Sequence, residues 1–182
     1  AFMAVSLALF GLGGGSLVVH LWPARFTEER ARGQLARFSL LTALSVPLVS
    51  WAILNHPIVP DAPMGEMFWD LATLYLLTSV PFFLAGLAIA LILTHGALRA
   101  GRLYSLDLLG SGAGCLLVVP AMSFLEGPGT LLLVGATAGG AALAFNLAAR
   151  ARWGVAGVIT ILFLGAAFTN TDHGWLSLST AK

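Results

Sequence analysis

This chain has little charge. Only 9% of its 182 residues are Asp, Glu, Lys or Arg, where an ordinary soluble domain carries about a quarter. Too little polar side chain is available to coat a globule of this size, so lipid is the solvent the composition suits. The formal net charge of +1 leaves no basic surface for nucleic acid and excludes that partner. Cysteine occurs once, at Cys115. It allows no disulfide within the chain, and its apolar surroundings mark it as a small residue for helix packing. Four histidines, His20, His56, His95 and His173, fall in separate segments without ligand spacing, so no metal site is expected. No glycine-rich turn follows a strand, and GLGGGS at Gly11–Ser16 lacks the Lys-Ser/Thr ending of a phosphate loop. Serines and threonines inside apolar runs, such as Thr78, Ser79 and Thr137, are expected to bond their own helix backbone. The chain by itself is therefore expected to hold no catalytic residue and no cofactor.

Hydrophobic residues make up 58% of the chain, and its mean hydropathy is +0.92. The pattern predicts an all-α fold, a polytopic transmembrane helical bundle in one domain. Six apolar segments, at about 1–22, 38–54, 68–94, 103–125, 129–149 and 153–169, approach the roughly 20 residues that cross a hydrocarbon core of about 30 Å. Pro47 and Pro81 should kink the second and third helices, and Pro120 should bend the fourth. A tight turn, Glu126-Gly127-Pro128-Gly129, should join the fourth to the fifth. The prolines at 57, 60 and 63 predict a stiff polyproline-like second loop.

The loops sort by charge. Arg25, Arg30, Arg32 and Arg37 mark the first, Arg99 and Arg102 the third, and Arg150 and Arg152 the fifth; the second and fourth have none. The positive-inside rule makes the arginine side cytoplasmic. Residues 170–182 then lie outside, in the periplasm for a bacterial inner-membrane protein. Tryptophans 22, 51, 69, 153 and 175 fall at predicted helix ends, as an interfacial belt does.

The organising stretch is GRLYSLDLLGSGAG, Gly101–Gly114. Asp107, Gly110, Ser111 and Gly114 share one helical face. Asp107 lies about one turn inside the apolar run, where a carboxylate is costly and helix-facing protein is its usual neighbour. Two roles are open for it. It is an anion held by Arg102, Arg99 and the helix N-terminus, or it is a proton or cation site. Arg102, Tyr104 and Asp107 would hold the fourth helix in register, and Gly110 and Gly114 would make its groove. Gly11 with Gly15, and Gly135 with Gly139, repeat the small-residue spacing, so helices one, four and five are expected to pack closely.

PFFLAGLAIALIL (Pro81–Leu93), GRLYSLDLLGSGAGCLLVVP (Gly101–Pro120) and LEGPGT (Leu125–Thr130) together resemble the integral-membrane part of fused, multi-span spermidine synthase-like bacterial proteins. These are also described as fused major-facilitator and spermidine synthase. The resemblance implies a membrane-anchoring or structural subunit that works with other membrane-protein subunits or as a homo-oligomer. It also implies a soluble synthase-like domain after residue 182, taking an S-adenosylmethionine-type donor, of which this chain holds no residue. Two other functions fit the sequence: half of a major-facilitator-type transporter for polyamine or another cation, and a membrane enzyme whose aminopropyltransferase-like domain lies beyond the chain.

Overall fold

A computed structural model of the chain describes residues 2–55, 63–96, 100–148 and 154–173. Among the described residues every regular element is helical: α1 (Phe2–Leu21), a 3₁₀ turn (Pro23–Arg25), α2 (Glu28–Leu54), α3 (Met64–His95), α4 (Ala100–Ala148) and α5 (Gly154–His173). The polyproline loop, Arg99, Arg150, Arg152, Trp153 and Trp175 lie outside the described residues.

Local chemistry explains the ends. Thr27 is extended, and its carbonyl accepts from the amides of Arg30 and Ala31 to open α2. Glu28 and Glu29 fill the first turn, where the exposed amide dipoles favour negative charge. Pro63 starts α3, its carbonyl accepting from Glu66 and Met67, where a missing N–H costs nothing. Inside the helices the hydroxyls bond back as expected. Thr78 donates to Leu74 O at 2.7 Å, Ser79 to Leu76 O at 2.7 Å and Thr137 to Val134 O at 2.7 Å.

The helices form an open row. α1 packs on α3, α3 on α2, α2 on α4, and α4 on α5. The expectation that helix one packs closely with helices four and five, the two arms of α4, does not hold: α1 packs on α3 instead. Small residues let a helix approach closely but do not choose its partner. Gly11 and Gly15 lie on α3 around Pro81: a methyl at Gly11 would stand 2.8 Å from Ser79 O, and one at Gly15 would strike Phe83 O. Gly86 returns the contact, lying 2.8 Å by the same measure from Leu12 Cα. Gly135 and Gly139 instead bring α4 against α2 and α5, with Ala43 O, Phe163 and the Thr160 hydroxyl as neighbours.

Among the described residues three helices are long and apolar enough to cross a membrane, within Glu28–Ile53, Met64–His95 and Gly101–Leu147. That is fewer than the six expected, for two reasons. The apolar parts of α1 and α5 are shorter, Val5–Leu21 and Gly154–Ala167. The expected fourth and fifth spans are two helical arms of α4 that meet at a kink and together make one apolar stretch, Gly101–Leu147; Gly127, Pro128 and Gly129 are helical and open the second arm. The only break is at Glu126, with φ 58° and ψ −175°. At about 1.5 Å per residue, each arm of α4 (100–125 and 127–148) is longer than the hydrocarbon core is thick.

The main core closes one end of the row. Val19, Phe26, Ala31, Leu35, Leu87, Ala88, Ala90 and Leu91 are buried together, and Phe145 packs against them. The end of α1, the start of α2, the end of α3 and the end of α4 therefore meet at one level. Four of the described arginines, Arg25, Arg30, Arg32 and Arg37, lie beside that cluster, in the 3₁₀ turn and the first three turns of α2.

Candidate functional site

Residues 101–120 of α4 form an arm that leaves the row. Every one of them is exposed except Leu103, which is half-buried and reaches back toward Gly96. Leu109 is 70% exposed, Leu116 79% and Phe124 79%. The other arm, 127–148, is held between α2 and α5 and buries Leu132, Ala136 and Ala142. α4 thus joins an anchored arm to a bare arm across the kink at Glu126.

The five residues singled out in the sequence all fall on the bare half. Arg102, Tyr104, Asp107, Gly110 and Gly114 are exposed, and Tyr104 shows 63% of its surface. Spacings of three and four residues put Tyr104, Asp107, Ser111 and Gly114 on one stripe. The structure brings no other helix to that stripe among the described residues. A Cβ added at Gly110, Gly112 or Gly114 would meet nothing within 4 Å. Cys115, beside Gly114, is exposed. Asp107 is not brought to the other acids of the membrane segments. Glu126 lies nineteen residues farther along the same helix, about 28 Å at helical rise.

The contrast between the glycine pairs is informative. Gly11, Gly15, Gly86, Gly135 and Gly139 face backbone or side chains of a neighbouring helix at contact distance; Gly110 and Gly114 have the same spacing and face open space. Glycine in a helix interior costs roughly 0.5–1 kcal/mol relative to alanine, and close approach of a second backbone is what offsets that cost in the first set. Among the described residues nothing offsets it in the second.

Chemically, the stripe offers a phenol, a carboxylate, a hydroxyl and a strip of bare backbone on a leucine-rich rod. It has the composition of a helix–helix contact, with small residues for approach and a few polar groups for interhelical hydrogen bonds. Among the described residues no three or more His, Cys, Asp and Glu side chains gather to hold a metal ion. The sequence reading missed Gly86. It sits in an unbroken apolar run, PFFLAGLAIALIL, with no second glycine four residues away to signal a groove.

No family model matches the chain, no characterised protein matches it and no solved structure matches it. What the fold defines is a class: an all-helical protein of membrane type.

Proposed function

We propose that the chain is a membrane-anchoring or structural subunit domain, and that residues 101–120 are the surface by which it holds a partner helix. One observation carries this reading. The Gly110–Gly114 face is built like the chain's filled glycine grooves yet meets none of the described residues. Lipid has no need of such a face, since packing between helices and not solvation by lipid rewards bare backbone. Asp107 on the same stripe suits a polar partner group inside the assembly better than it suits hydrocarbon.

The reading includes six crossings. α1 and α5 have 20 residues each, about 30 Å of helix, and the two arms of α4 cross separately. The arginine ends face the cytoplasm of a bacterial inner membrane, following the positive-inside rule. The resemblance to spermidine synthase-like proteins suggests a soluble synthase-like region as what the domain anchors.

The test is the size of the complex extracted from native membranes in mild detergent. Gly110→Leu with Gly114→Leu should reduce it to the mass of the chain alone while leaving the chain in the membrane fraction. A complex of unchanged mass would remove the basis for the proposal.

A further inference from the structure

α2 packs against α3 and α4, and those contacts leave one open line along it. From Gln34 to Ile53 only Arg37, Leu41, Leu44, Leu48 and Trp51 are exposed. They recur at steps of four, three, four and three residues, the period of a coiled-coil seam. Leu48 shows 67% of its surface and Trp51 61%, so the line is apolar and open over most of its length. The bare arm of α4 carries the same steps. Asp107, Ser111, Gly114, Val118 and Ala121 each stand seventy residues after a member of the α2 line, 107 matching 37 and 114 matching 44. The first four are exposed and Ala121 is half-buried.

The two lines complement each other in size and in charge. Leucines at 41, 44 and 48 face Ser111, Gly114 and Val118, large against small, as knobs fit holes. Arg37 faces Asp107, a cation against an anion. Both helices begin at the arginine end of the row, so side by side they run parallel and every matched pair stays in register. Depth agrees as well. Leu35 and Leu91 share the buried cluster, which puts Arg37 about 10 Å beyond the level of Gly96. Leu103 reaches Gly96, and Asp107 lies about 6 Å farther along the arm. The difference is less than one helical turn, within the reach of an arginine side chain. Two copies inserted in the same sense are related by an axis normal to the bilayer, which leaves each depth unchanged. Among the described residues the arm does not cover the α2 line of its own chain, since both are exposed together. A two-fold pair covers both at once. We infer that the bare arm of one copy seats on the Arg37–Trp51 line of α2 in a second copy, and the reverse, closing a dimer through two parallel seams. This rests on the reading of the arm as a surface that holds a partner helix, and it names that helix.

The experiment is disulfide trapping between two differently tagged copies in native membranes, with Cys115 replaced by alanine. One copy carries Leu44→Cys and the other Gly114→Cys. Oxidation should give a mixed disulfide at the mass of two copies. Leu44→Cys with Leu109→Cys, on the opposite side of the arm, should give little. Equal yields from the two pairs, or none from the first, would overturn the inference. With both Leu44→Cys and Gly114→Cys in one chain, a disulfide formed only within that chain would show the arm lying on its own α2 and would overturn it too. Arg37→Asp alone or Asp107→Arg alone should lower the mixed disulfide about tenfold, and the two together should restore it. A double variant as weak as either single one would contradict the pairing. Should Gly110→Leu with Gly114→Leu still dissolve a larger complex while no mixed disulfide forms, the arm keeps its role as a partner-binding surface and this inference alone fails.

Discussion

Gly135 of α4 stands against the carbonyl oxygen of Ala43 in α2: a methyl group at Gly135 would lie 3.2 Å from that oxygen and 3.1 Å from Phe163 of α5. The contact has a cause in α2. Pro47 lies four residues after Ala43 inside the helix and has no N–H to give that carbonyl. The freed oxygen is covered by the backbone of a neighbouring helix, which only a residue without a side chain can bring so close.

Gly135→Leu should therefore wedge α4 away from α2 and α5 together. Overpacking of a filled contact costs about 1–3 kcal/mol. Unfolding of the detergent-solubilised chain, followed by loss of helical circular dichroism on titration with a denaturing detergent, should show a loss of that order. The same substitution at Gly110 should change the stability of the isolated chain by less than about 0.5 kcal/mol, because that face is open.

A parallel effect is expected on the other side of the row. Gly86→Leu would force a side chain into the backbone of Leu12, which a bare Cβ would already overlap. α1 has no other large contact, so it should detach while the other helices keep their packing. Limited proteolysis between α1 and α2, near Phe26 and Thr27, should become faster in this variant and not in Gly110→Leu. Equal cleavage of the two would argue against the α1–α3 contact as described.

Glycine spacing and prolines made part of this legible in advance. Gly11 with Gly15 and Gly135 with Gly139 read correctly as close-packing faces, and the hydroxyl back-bonds of Thr78, Ser79 and Thr137 followed from residue type alone. The partners were not legible. Leucine, valine and alanine serve lipid-facing and helix-facing positions alike, so the sequence does not say how a helix such as α3 is rotated or which neighbour fills its groove. Among the described residues fewer helices than six are long and apolar enough to cross a membrane. Hydropathy marks apolar stretches but not where each helix starts and ends, and the kink at Glu126 depends on one residue's backbone angles. For the candidate site the residues could be picked out, since an acid and glycines on one stripe are unusual in an apolar run. That the stripe is bare could not be, because emptiness belongs to the packing of the other helices.

Glu126 is the one described residue other than glycine with positive φ. Its φ of 58° with ψ of −175° falls in a region nearly reserved for glycine, at a cost of order 1–3 kcal/mol. Glu126→Gly should relieve that strain, and after the larger entropy of the unfolded glycine it should stabilise the chain by about 1 kcal/mol. Glu126→Ala, which keeps the strain, should give no such gain. The comparison is a matched pair of unfolding curves, and equal stability of the two variants would mean that the break does not sit at this residue.

The arginine ends should all be on one side of the bilayer. With Cys115 replaced by alanine, single cysteines at Arg32 and at Trp51 report on opposite ends of α2. In sealed inverted vesicles a membrane-impermeant thiol reagent should label the first and not the second. The reverse result would invert the proposed orientation, and labelling of both would remove α2 as a crossing.

The account turns on whether the bare arm of α4 meets protein. A photo-activated cross-linking residue placed singly at Tyr104, Asp107, Leu109, Ser111, Gly114 and Leu116 in native membranes decides it. The prediction is one discrete protein adduct from positions 104, 107, 111 and 114, with 109 and 116 giving no adduct of that mass. Lipid adducts alone from all six positions, with no helical period among them, would contradict it.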